Sequence, residues 1–135
     1  MPSMTVELRN VEGTQAAMGW AGAHTIVVDR PDGRAGGRGL GFNGGQLLAL
    51  AIGGRFCHEL RYAPPEVGAG PGRSALPRGP HLDGSPLLAT RARMTVSCEM
   101  LDGSDPQALI DEARRVTMVT NSLIRGFPVA IEAIA

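Results

Sequence analysis

Gly44-Gly-Gln-Leu-Leu-Ala-Leu-Ala-Ile-Gly-Gly-Arg-Phe-Cys-His-Glu-Leu-Arg-Tyr62 is the stretch that decides the fold. Asn43 can cap a helix start and Pro64-Pro65 can stop one, so residues 44–62 predict a helix of about 18 residues, roughly 27 Å long. Its first half is apolar around the whole circumference, which predicts a buried central helix rather than a surface one. Charge enters only from Arg55 onward.

Upstream of this helix, Met4 to Arg9 alternate apolar and polar residues, and Thr14 to Trp20 reads as a second strand. A third, His24-Thr-Ile-Val-Val-Asp29, is β-branched and closed by the turn signal Pro31-Asp32-Gly33. Glycine fills seven of the thirteen positions from Gly33 to Gly45, which predicts a loop with close backbone contacts over 33–45. Downstream, residues 64–86 hold six of the ten prolines and five glycines, a density that predicts a loop with neither strand nor helix. Alternation resumes at Leu88–Met100, with Met94, Val96 and Cys98 on one face and Arg91, Arg93 and Glu99 on the other. Ser104-Asp105-Pro106 launches a helix over Gln107–Val116, a second short helix runs to Arg125 and stops at Gly126, and Phe127–Ala135 is expected to close the chain as a strand. The resulting fold class is α+β, in the order βββ–α–β–αα–β, as one domain over 1–135.

Composition narrows the function. The 135 residues carry 13 Lys+Arg, all arginine, against 13 Asp+Glu, a formal charge of zero that excludes electrostatically driven binding to nucleic acid or to an anionic membrane. Aromatic residues are only 4%, which removes the stacking platforms of single-strand binders. Without lysine there is no Schiff-base chemistry. Two cysteines, Cys57 and Cys98, are too few for a disulfide scaffold, and no apolar run is long enough to span a bilayer. With no signal peptide read at the start, a cytoplasmic protein is expected.

Familiar motifs fail on context. Gly39-Leu-Gly-Phe-Asn-Gly44 spells G-x-G-x-x-G, but its acidic partner Glu59 sits inside the helix that the glycines introduce rather than at the end of a second strand. His24, His58 and His81 are scattered without metal-ligand spacing, so neither a metal nor a cofactor is implied. The charged end of the central helix is more informative. Arg55, His58, Glu59 and Tyr62 fall at i, i+3, i+4 and i+7 and share one face, a cation, an imidazole and a carboxylate suited to acid–base work. Cys57 lies toward the C-terminal end of the helix, where the dipole disfavours a thiolate, although Arg61 one turn on offsets this. Cys98, facing inward with Met94 and Val96, reads as an inert core thiol.

Gln46-Leu-Leu-Ala-Leu-Ala-Ile-Gly-Gly54, Asn121-Ser-Leu-Ile-Arg-Gly-Phe-Pro-Val129, Trp20-x-Gly22 and the strand ending at Asp29, taken in this order, resemble the osmotically inducible protein C / organic hydroperoxide resistance family (OsmC/Ohr). The similarity covers nearly the whole chain except residues 64–86. It implies an intertwined, peroxiredoxin-like homodimer with its active sites at the subunit interface. There a cysteine on the central helix reduces an organic hydroperoxide, a second cysteine resolves it, and a glutamate and an arginine orient the thiol. Carried over by position, the reactive cysteine falls on Arg55, the resolving one on Thr117 and the glutamate on Gly45 or Gln46. The arginine has no match, the nearest positions being Ala23 and His24. Some branches carry a further cysteine two positions after the first, where this chain has Cys57. Residues two apart on a helix point about 200° apart, so Cys57 does not replace the cysteine missing at Arg55. The family strand after the central helix is expected to be replaced by the loop 64–86.

Three functions follow from these departures. The first is a hydrophobic small-molecule pocket at a dimer interface turned to acid–base chemistry of the isomerase, cyclase or lyase type, in a biosynthetic setting. There Arg55 polarises an oxyanion, His58 or Glu59 moves the proton, and Trp20, His24, Phe42, Gln46, Phe56 and Thr117 contact the ligand. The second is a thiol-dependent hydroperoxide reductase using Cys57. The third is a binding protein without catalysis.

Overall fold

In the computed structural model of the chain, residues 3–62 and 69–134 are described, which leaves Pro64-Pro65 outside. The fold is α+β, with three α-helices and two small antiparallel sheets among the described residues. The chain divides into two compact units, Met1–Leu48 and Ala49–Ala135. No helix among the described residues is long and apolar enough to cross a membrane.

The first unit is a meander of β1 (Glu7–Asn10), β2 (Ala17–Ala21) and β3 (His24–Val28), paired in sequence order. The starts of β1 and β2 both differ from expectation for local reasons. β1 begins at Glu7 rather than Met4 because Glu7 already faces Trp20, and β2 ends one residue later. β2 begins at Ala17 rather than Thr14 because the Thr14 hydroxyl donates to the Val11 carbonyl at 2.8 Å and accepts from the Ala16 N–H at 3.0 Å. Those bonds fix a turn where the pattern alone reads strand.

After β3, the glycine-rich segment 33–45 folds around one carboxylate. Asp29 is buried and accepts backbone N–H groups from Arg30 at 2.8 Å and from Arg38 and Leu40 at 3.0 Å each. Phe42 then runs beside Val28 in a parallel bridge, and a Cβ on Gly41 would run into the Val27 carbonyl. Only glycine lets the two backbones come this close.

Helix α1 (Gly44–Glu59) starts where the sequence places it and tightens into a 3₁₀ turn over Leu60–Tyr62. Its start is a reciprocal cap: Gln46 N–H donates to Asn43 Oδ1 at 2.9 Å, and Asn43 N–H donates to Gln46 Oε1 at 3.0 Å. Expected burial is only partly met. In the single chain the buried α1 residues are Ile52, Gly53, Phe56 and Glu59, while Leu50 is 51% exposed. The core cluster of the second unit takes in α1 only at Phe56, past the apolar first half.

The second unit corrects the reading of residues 64–86. Ala69–Asp83 is a strand, β4, paired antiparallel with β5 (Leu88–Met100) in a two-stranded ribbon. A strand therefore follows the central helix where the composition predicts a loop. Prolines survive here because each strand of a ribbon is an edge, with alternate N–H groups pointing away from the partner. The register breaks between Arg78 and His81, at Gly79-Pro80, which absorbs a further proline. Helices α2 (Gln107–Val116) and α3 (Met118–Arg125) follow as expected, and Gly126 at φ 75° ends the second. The core of this unit is Phe56, Leu60 and Ala113, with Met94, Val96, Leu109 and Ile110 packed against it.

The strand expected over Phe127–Ala135 does not form among the described residues 127–134. β4 and β5 pair with each other, so the tail finds no ladder and its amides have no strand to bond. Its alternating apolar side chains stand in solvent, Ile131 at 93% and Ile134 at 100% exposure.

Candidate functional site

The residues expected to share a site divide between the two units. In the first, Trp20 is half-buried on β2 and His24 is exposed at the start of β3. Phe42 carries the backbone bridge to Val28, and the Gln46 amide is committed to the helix cap. In the second unit Arg55 Nε donates to Glu59 Oε1 at 2.8 Å, an i,i+4 pair whose carboxylate side chain is only 6% exposed. A buried carboxylate needs such a partner, and the guanidinium supplies it. His58 is exposed, Cys57 is a half-buried free thiol, and the Tyr62 side chain lies outside the described residues. Burial pushes the Cys98 thiol up from its ordinary pKa, as suits an inert core cysteine.

The cavity of this unit lies one face further on. A groove of about 770 Å³ runs between α2 and α3. Its apolar lining is Phe56 from α1, Met94 and Val96 from β5, Ile110 from α2 and Ile124 from α3. Two of the expected site residues, Phe56 and Thr117, meet here, whereas Arg55, Cys57, His58 and Glu59 do not contribute to the lining.

Thr117 is the hinge of the groove. Its φ of −63° and ψ of 118° break the helix for one residue, so α2 ends and α3 begins around it. The Thr117 N–H still donates to the Ala113 carbonyl at 2.9 Å, and its own carbonyl accepts from Asn121 N–H at 3.2 Å. Asn121 Nδ2 donates back to the Arg115 carbonyl at 3.0 Å and braces the corner. A threonine at a helix N-cap ordinarily accepts an N–H from the first turn, yet that bond is not made here. Thr117 is 1% exposed, and the Oγ1 atoms of Thr117 and Thr120 are both buried without a hydrogen-bond partner. Burying a hydroxyl in this way costs about 1–3 kcal/mol.

The rim is charged and largely paired. Arg115 holds Glu112 with two bonds, at 3.0 and 2.8 Å, and keeps that carboxyl below its usual pKa. Gln107 Nε2 donates to Asp111 Oδ1 at 2.9 Å, while Arg114 Nη1 stands off the same carboxylate at 3.8 Å. Together these groups make a site able to hold an apolar body with a small number of hydrogen bonds at one end, within the usual range of ligand cavities.

Sequence reasoning missed Thr120, Asn121 and the α2 face. Asn121 drew notice only as part of a resemblance. The available signal was Thr120-x-x-x-Ile124, an i,i+4 pair in the helix directly after an amphipathic one. No protein-family model matches the chain, and no curated protein matches it.

Proposed function

We propose that this chain is a diverged relative of the OsmC/Ohr proteins, a cytoplasmic homodimer that binds a hydrophobic small molecule in the groove between α2 and α3. One observation carries the reading: a cavity of about 770 Å³ with an aliphatic and aromatic floor and unpartnered hydroxyls in its wall. Kinship is supported by the order β-β-β-α-β-β-α-α and by Thr117 lying in the groove, since that position corresponds to the family's resolving cysteine. With arginine and threonine at the two redox positions, the peroxide cycle has no carrier.

The dimer is supported by surface. In the second unit the apolar side chains of Leu50, Ile131 and Ile134 are half or more exposed, surface that a second copy would cover. Light scattering after gel filtration is expected to give twice 14.1 kDa, and a monomer at micromolar concentration would remove the dimer from the proposal.

Binding is tested with a polarity-sensitive dye, 1-anilinonaphthalene-8-sulfonate, and a panel of apolar competitors. Ile124 lines the groove but is 77% exposed, so Ile124→Asp leaves the fold intact. Competitor affinity is expected to fall about tenfold, the value of one aliphatic side chain against a ligand. Equal affinity in the variant would refute the assignment of the groove. Acid–base turnover is the second reading, favoured by the Glu59 carboxylate held in the interior by Arg55. It requires Glu59→Gln to abolish turnover while leaving binding unchanged.

A further inference from the structure

We infer that the ligand of this groove carries a hydrogen-bond acceptor, a carbonyl or a carboxylate, at the end of its apolar body, and that the Thr117 and Thr120 hydroxyls donate to it. The inference rests on the groove being the binding site and adds the chemical class of what it takes.

Three observations converge. First, the polar and apolar parts of the lining are separated along α3. Thr117 caps its start, Thr120 lies in its first turn and Ile124 in its last, and all three line the groove. A ligand lying along the groove therefore meets hydroxyls at one end and aliphatic carbon at the other. Second, both hydroxyls are buried without a partner, and Thr117 is 1% exposed. Both threonines line the groove, so a turn of the side chain about χ1 carries the hydroxyl to an acceptor there and relieves an unsatisfied donor, with no bond to protein given up first.

Third, the surroundings favour an acceptor over a donor. α3 begins at Met118, immediately after Thr117, and the first N–H groups of a helix have no intrahelical acceptor. The missing N-cap bond leaves the hydroxyl side of this turn uncompensated. These N–H groups and the positive end of the helix lower the energy of an electron-rich oxygen beside them. Arg114, at 3.8 Å from its only rim carboxylate Asp111, is the cation least committed to a partner among those lining the groove. Arg115 is tied to Glu112 by two short bonds. A carbonyl would use the hydroxyls alone, whereas a carboxylate would also draw on Arg114.

The test uses ten-carbon probes that differ at one end: decanoate, 2-decanone and decylammonium, each titrated against the full-length protein by dye displacement. Thr117→Val and Thr120→Val keep the side-chain shape and remove the hydroxyl. Both variants are expected to melt at higher temperature than the parent, because an unsatisfied buried hydroxyl is gone. Both are expected to bind decanoate and 2-decanone about tenfold more weakly, with decylammonium binding weakly throughout. Arg114→Gln separates the two acceptor types by weakening decanoate and sparing the ketone. If all three probes bind alike, or if the valine variants bind decanoate as the parent does, the acceptor assignment is overturned while the groove stands. If no probe binds, the groove assignment falls, and this inference with it.

Discussion

Two neighbouring glycines in the central helix are expected to respond to the same substitution with opposite sign. In a helix interior, glycine to alanine ordinarily stabilises by about 1 kcal/mol. At Gly54, which is exposed, a Cβ would meet nothing within 4 Å, so Gly54→Ala should gain that amount. At Gly53, which is buried, the same Cβ would lie 2.7 Å from Pro77 Cγ and 3.1 Å from Pro77 Cδ. Carbon atoms in contact sit about 3.5–4.0 Å apart, so the overlap approaches 1 Å. A proline ring cannot swing aside as a flexible side chain does, so β4 must move off the helix or the helix must bend. Overpacking of this kind costs about 1–3 kcal/mol and outweighs the propensity gain. The two alanine variants should therefore differ by about 2 kcal/mol, or roughly 8 °C in Tm for a chain of this size. Urea unfolding followed by circular dichroism measures the difference, with equal m-values required for a fair comparison. Gly53→Ala matching or exceeding Gly54→Ala in stability would refute the packing of β4 against the helix. It would also return residues 69–83 to the loop their composition predicts.

Two further substitutions probe the loop and the ribbon. Asp29 is held below its ordinary pKa of 3.8, chiefly by the Leu40 N–H and then by those of Arg38 and Arg30. Its stabilising effect is therefore complete above pH 3.8 and lost as pH falls through the lower folded value. A carboxyl carbon titration by NMR should place Asp29 below 3.8, and Asp29→Asn should lower the exchange protection of the Arg38 and Leu40 amides; a normal pKa would contradict the geometry. On the ribbon, Arg78 faces Arg93 directly, both exposed, and no ion pair among the described residues involves either. Arg93→Glu should raise stability by about 0.5 kcal/mol at low salt and lose that gain in 0.5 M NaCl, whereas a decrease at low salt would mean that the register is wrong.

Elements governed by local chemistry were legible in the sequence. The central helix announces itself through Asn43, Gln46 and an unbroken run without β-branched residues except Ile52, and its cap forms as those residue types require. α2 and α3 are equally local, with the stop at Gly126 set by backbone conformation alone. β4 was not legible, because a proline rule derived from central strands does not govern a two-stranded ribbon. The groove was half legible. Phe56 and Thr117 were named, but their neighbours come from β5 and α2, and a single sequence carries no signal for which faces meet.

The remaining discrepancies all point one way. The first half of α1 reads as buried, yet Leu50 is half exposed. The tail alternates like a strand, yet Phe127, Val129 and Ile131 are exposed and no described strand pairs with it. In both places the sequence asks for burial or pairing that one copy of the chain does not provide. Chance would scatter such errors in both directions, with polar segments buried as often as apolar ones exposed. Among the described residues the buried polar side chains are few, and the two carboxylates each have a local partner: Asp29 in its cradle of amides and Glu59 on Arg55. An excess of uncovered apolar surface without a matching excess of buried polarity is what a protomer separated from its partner would show. The light-scattering measurement therefore bears on the helix and the tail as much as on the oligomeric state. A stable monomer would leave the exposure of Leu50 and Ile131 without a physical reason, whereas a dimer supplies one for both.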